Sequence, residues 1–168
     1  GFLELCATES LDTIKALSPA IVNAHPALKY MALANATLNE KKDVGIVEYL
    51  LDSGCPAMVN SGDVQEKFEP VLAHFVKSNS PMAKEVIGLL AKRGFDMNTP
   101  SSSGFDVLTH AILAKVSDDI VDVIIGSGVL TSRFGAGRFA NCALAATGRN
   151  RTDYLEKFFK AGLDPNAL

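Results

Sequence analysis

The sequence predicts an all-α fold, an α-solenoid in which short helix-turn-helix units stack along one axis. Three observations predict it. Four segments end in glycine: "VEYLLDSG", "IGLLAKRG", "VDVIIGSG" and "LEKFFKAG", and their glycines, Gly54, Gly94, Gly128 and Gly162, fall 40, 34 and 34 residues apart. Before each glycine, apolar residues recur at the same offsets. Val47, Ile87, Val121 and Leu155 lie seven back, Leu50, Leu90, Ile124 and Phe158 four back, and Leu51, Ala91, Ile125 and Phe159 three back. That spacing makes one face of a helix, and the terminal glycine supplies the left-handed residue that ends it. Finally, each segment follows a second helical stretch and a short polar break, so the unit is a helix pair.

In chain order, the first pair is "FLELCAT" followed by "LDTIKALS" (11–18), where Ser18 stands in place of the glycine. The later first helices are predicted at 25–37, 68–77, 104–115 and 138–147. Ser80 is expected to cap the helix of the third pair, with Pro81 at its first position. Ser117 is expected to cap the next, with Asp118 and Asp119 in the first turn, where acids suit the helix dipole. Asn150 or Thr152 caps the last. Polar links expected to be extended join the pairs, such as "SPAIVNAHP" and "GFDMNTPSSSG". The repeats so defined are approximately 1–24, 25–61, 62–98, 99–132 and 133–168. The expectation is one domain excised from a longer protein.

A helix pair followed by Gly-x-Asp-x-Asn and a polar turn resembles the ankyrin repeat. The motif stands at Gly94-Phe95-Asp96-Met97-Asn98 and at Gly162-Leu163-Asp164-Pro165-Asn166, and Gly104 sits where that family places its hairpin glycine. The resemblance covers nearly the whole chain as about four and a half divergent copies. The family's Thr-Pro-Leu-His opening is absent, though "FDVLTHAI" and "FEPVLAHF" keep its apolar spacing. Other helix-pair arrays, HEAT-like or TPR-like, lack the Gly-x-Asp-x-Asn link. The resemblance implies a concave face of loop tips and first helices that grips a partner protein.

Composition narrows the function classes. Of 168 residues, 48% are hydrophobic and 21% charged, which suits a globular domain with a sizeable core. A net charge of −3 argues against a broad nucleic-acid surface. Cys6, Cys55 and Cys142 are odd in number and widely spaced, so neither a disulfide framework nor a zinc site is expected. Buried reduced thiols point to an intracellular, most simply cytoplasmic, protein. No apolar run reaches the length of a membrane span.

Gly135-Ala136-Gly137-Arg138-Phe139-Ala140 fits GxGxxA, yet the repeat makes "VDVIIGSG" a helix rather than the strand a dinucleotide site requires. Arg133, Arg138, Arg149 and Arg151, with Phe134 and Phe139 among them, carry an alternative reading as a nucleic-acid-binding solenoid. His74 and His110 occupy matching places in their helices and read as a structural stack, not as metal ligands. No catalytic arrangement, cofactor or metal is expected. The tips fall at roughly 60–67, 99–105 and 131–139. They contribute Glu66 and Lys67, Ser102 and Phe105, and Arg133, Phe134, Arg138 and Phe139. Arg and aromatic residues dominate binding hot spots, so the Arg-Phe tip is the predicted anchor for a protein or peptide with an acidic or apolar segment. Phe139, nearest the helix, is the more expected of the two Phe to fold back. A third reading is a targeting or regulatory module of a larger enzyme or pathogen effector.

Overall fold

The computed structural model describes residues 1–17, 19–57, 71–77, 80–127 and 136–163. Among them every regular element is a helix: α1 (Phe2–Thr8), α2 (Leu11–Leu17), α3 (Pro19–Val22), α4 (Pro26–Ala36), α5 (Val44–Asp52) and α6 (Val71–Lys77), then α7 (Ala83–Lys92), α8 (Val107–Leu113), α9 (Asp118–Gly126), α10 (Ala136–Gly148) and α11 (Thr152–Lys160). The helices form two rows. α1, α4, α6, α8 and α10 pack side by side in chain order, and α2, α5, α7 and α9 do the same behind them. α11 completes the last pair by packing on α10. The shared core runs between the rows.

The glycine-phased pattern explains the second row. Residues seven and four before the glycine, such as Val47 and Leu50 or Val121 and Ile124, are buried, except Leu155 in α11, which is half-buried. Those three before it are half-buried in α5, α7 and α9, while Phe159 is exposed. The structure adds a position that the sequence reading omitted. Ile46, Val86, Ile120 and Tyr154, eight before the glycine, are all buried and widen the apolar stripe toward the first row. That first row is built on small residues: Ala32, Ala34, Ala36, Ala111 and Ala146 are buried, which lets neighbouring helices approach closely. In α8 every residue from Val107 to Ile112 is buried, because α6, α9 and α10 all pack on it.

The helix ends share one hydrogen-bond motif. Gly94 has φ 76°; its N–H reaches the Ala91 carbonyl at 3.0 Å, and the next N–H, of Phe95, reaches Leu90 at 3.0 Å. The same two bonds recur at Gly54 and Gly162. This is the Schellman arrangement, which satisfies carbonyls that the helix end leaves orphaned. First helices use it as well, with non-glycine residues. Lys115 (φ 56°) closes α8 and Asn150 (φ 55°) closes α10.

Three local expectations are corrected. Asn150 ends α10 rather than starting α11, whose N-cap is Arg151 with Thr152 as first residue. Ser80 and Pro81 precede α7 by a turn, and its N-cap is Met82. Ser80 is buried because its hydroxyl donates to the Thr37 carbonyl at the end of α4 while accepting from the Met82 N–H. The link after α2 is not extended throughout, since α3 forms within it. Ser117 does cap α9, but its hydroxyl donates to Asp119 instead of accepting a helix N–H.

Candidate interaction surface

One predicted tip lies wholly within the described residues. Between Asp96 and Phe105 the chain reverses in two steps. The Asp96 carboxylate accepts the Asn98 N–H at 2.9 Å, closing an Asx turn. Gly104, with φ 79°, then donates to the Ser101 carbonyl, and the Ser101 N–H returns to the Phe105 carbonyl at 2.8 Å. That pair of bonds is a type I turn followed by a left-handed glycine, a short hairpin tip. Ser101 is buried beneath it, and its hydroxyl meets His110 Nε2 and Ser103 Oγ, both at 2.7 Å. His110 therefore braces the loop of its own repeat.

The predicted site residues separate accordingly. Ser102 is exposed on this tip. Phe105 is half-buried and set edge-on to His110, ring centroids 5.8 Å apart at 76°. It packs its own repeat instead of standing out as an anchor, because a ring at the helix start has an aromatic partner within reach. Glu66, Lys67, Arg133 and Phe134 lie outside the described residues. Arg138 and Phe139 fall in the first turn of α10, so the backbone there is helical, not a reversing tip; their side chains lie outside the description. Gly137 is helical too, and "VDVIIGSG" is helical from Val121 to Gly126 within α9, so the dinucleotide fingerprint lacks its strand.

The other two arginines of the basic cluster are spent on the stack. Arg149 donates through Nη2 to the Leu113 carbonyl at 2.9 Å, at the end of α8. Arg151 donates to Asp153 through Nε and Nη2, and to Asp118 through Nη2 at 2.8 Å. Its guanidinium also lies over the Tyr154 ring, 3.7 Å from the centroid. Tyr154 donates its hydroxyl to Asp118 at 2.7 Å. Half of the proposed nucleic-acid patch thus ties one helix pair to the next.

Charge is segregated between the rows. The second helices are laced by pairs that cross from repeat to repeat: Arg93 with Glu48 and Asp52, Lys84 with Asp119, Arg151 with Asp118, and Lys157 with Asp122. The first row exposes apolar side chains, Leu113 on α8 among them, although Leu17 on α2 and Phe159 on α11 are exposed in the second row as well. Leu28 and Met31 stand one turn apart on α4, and Leu144 on α10 is 69% exposed. A surface whose charges already satisfy one another is a poor site for a charged partner. A row that presents leucine and methionine suits an apolar one.

The charged pairs set a pH dependence. Hydrogen bonds from Ser117 and Lys84 hold the Asp119 carboxyl down to about 2. Asp118, bonded first by Tyr154 and then by Arg151, is also lowered, and so is Asp153 through Arg151. A carboxylate lowered on folding contributes stability above its unfolded pKa and loses it as pH falls through the folded value. Thermal unfolding should therefore show a Tm that is flat near neutrality and falls progressively below about pH 4. Asp118→Asn should flatten that acid limb, and added salt should shrink it, since these groups face solvent.

The cysteines carry no reactive site. Burial pushes the Cys6 and Cys142 thiols up to about 12 and Cys55 to about 11, so none is a thiolate near neutrality. Among the described residues no group of three or more metal-ligating side chains converges, and no helix is long and apolar enough to cross a membrane.

The residue that sequence reasoning overlooked most is Asn39. It is completely buried, donates to the Cys6 and Glu9 carbonyls at 3.0 Å each, and accepts from the Lys41 N–H at 3.0 Å. It closes the end of α1 from the next repeat, as Ser80 does for α4 and Arg149 for α8. A polar residue at the turn of each pair, one period beyond a first-helix end, was the signal available. Compared with known proteins, the chain matches no family model, no curated protein and no solved structure.

Proposed function

We propose that this chain is an ankyrin-like stack that binds another protein and performs no catalysis. The partner lies along the first helices and the loop tips. The observation that carries this reading is the segregation of charge: second helices whose ion pairs are mutually satisfied, against a first row exposing Leu28, Met31 and Leu144. The ankyrin-like assignment draws support from the two rows of helices, the recurring Schellman glycines and the glycine-closed tip at 101–105. Arg133 and Phe134 remain the proposed anchor, on the expectation from the sequence period that they belong to a loop tip.

The test is affinity capture of partners with the isolated domain, followed by measurement of Kd for each captured protein. Arg133→Ala with Phe134→Ala should weaken binding by about tenfold or more, the effect of losing a hot-spot pair, with Tm unchanged. Leu144→Glu should weaken it as well. Full affinity in all these variants would overturn the reading. A captured ligand that proves to be nucleic acid, with affinity falling steeply in salt, would replace it with the solenoid alternative.

A further inference from the structure

The turn edge of the stack, opposite the tips, carries two clefts between consecutive repeats. One, of about 350 Å³, lies between the starts of α7 and α9, and it contains Lys84 and Asp119 paired at 2.9 Å. Its charge is cancelled within the cleft. The other, of about 290 Å³, lies between the end of α8 and the start of α11. Lys115, Arg149 and Arg151 line it, no carboxylate does among the described residues, and the rest of its lining is Tyr154 and the apolar Ala111, Ile112 and Val116.

Two of the three cations, Arg149 and Arg151, have their side chains anchored, and Lys115 is placed by its backbone. Lys115 occupies a left-handed position, where its backbone closes α8 through Ile112 and Val116 through Ala111. Glycine would adopt that conformation more easily, so the local turn does not call for a lysine. Arg149 is anchored by one nitrogen on the Leu113 carbonyl. Arg151 is clamped by Asp118 and Asp153 through Nε and Nη2 and by the Tyr154 ring beneath it. In each guanidinium, Nη1 is not engaged by these bonds. The two acids offset part of the charge of Arg151, while Lys115 and Arg149 have no acid partner among the described residues. Pre-positioned guanidinium forks together with an ammonium match the several oxygens of a tetrahedral oxyanion.

We propose that this cleft is a binding site for a phosphate monoester. The phosphoryl oxygens meet Lys115, Arg149 and Arg151, and the carbon portion of the ligand rests on the small exposed surface of Ile112 and Val116. The site is independent of the partner-binding face and stands or falls separately from it.

The test is a two-dimensional amide NMR titration of the protein, at constant ionic strength, with inorganic phosphate and with phenyl phosphate. Saturable shifts confined to residues 111–116 and 149–154 are expected, with phenyl phosphate binding more tightly. Lys115→Gly, which suits the turn and keeps the fold, should weaken binding by about tenfold, the effect of losing one charge-assisted hydrogen bond. Arg149→Met should do the same. Shifts that never saturate, that spread over the surface, or that survive Lys115→Gly would overturn the proposal. Equal affinity for inorganic phosphate would overturn the ester assignment.

Discussion

Asn39→Ala is expected to lower unfolding free energy by about 3 kcal/mol, because several backbone groups lose their partner in one step. The side chain has no exposed surface. Its amide nitrogen satisfies the Cys6 and Glu9 carbonyls, and its oxygen holds the Lys41 N–H and, at 3.4 Å, the Asp43 N–H. Alanine fills none of these roles, and the gap is too enclosed for bulk water to do so fully. The Cys6 carbonyl is the costliest loss, being bonded in a buried setting, whereas the Glu9 carbonyl is partly solvated. Asn39→Asp is expected to be at least as harmful. It removes both donors and sets a carboxylate against two carbonyl oxygens. In a stack each unit leans only on its neighbours, so the damage should concentrate at the first interface. Hydrogen exchange should quicken first in α1 and α2. Urea denaturation of Asn39→Ala with a loss under about 1 kcal/mol would contradict this account.

Phe158→Ala is the second large effect, at about 3 to 5 kcal/mol. The ring is completely buried, stacks on Tyr154 with centroids 6.3 Å apart, and belongs to the residue whose carbonyl receives the Leu163 N–H. Removing it opens a cavity between α11 and the core that rigid neighbours fill only in part. It also loosens Tyr154, which carries Arg151 on its face and the hydroxyl bond to Asp118. Phe159, the next residue, provides the internal comparison. It is 44% exposed, so Phe159→Ala should change stability by less than about 1 kcal/mol. Equal losses in the two variants would mean that the phase of α11 is wrong.

Much of the fold was legible because its causes are local. Apolar residues three and four apart make a helical face whatever lies beside it, so α5, α7, α9 and α11 follow from their own sequences. Gly54, Gly94 and Gly162 sit where a left-handed residue is needed after α5, α7 and α11, and all adopt it. The cap at Asn150 was misjudged for the same kind of reason. Asn serves both as an N-cap and as a left-handed closing residue, and the local sequence does not separate the two roles. α3 was missed because four residues carry no period.

The candidate surface was legible only in part. The reversal at Gly104 was expected and is present, but Phe105 packs on His110 because both belong to one turn of structure that the linear reading treated as a tip and a helix. Arg149 and Arg151 looked like members of a basic patch. Their partners, Leu113 and Asp118, lie 36 and 33 residues away. Lys157 and Asp122 are separated by 35. These intervals are close to the repeat length, so pairing residues one period apart would have revealed the second-row ion pairs.

By itself, then, the sequence determined the all-helical class, the helix pairs, their period and the residues that stop most of them. It could do so because hydrophobic spacing and backbone conformation act within a few residues. Tertiary structure alone decided which polar groups are satisfied, which charges cancel, and which faces remain apolar or cationic. Those outcomes depend on side chains a full repeat apart. Only when the helices stack does Asn39 meet Cys6, or Lys115 join Arg149 and Arg151 around one cleft.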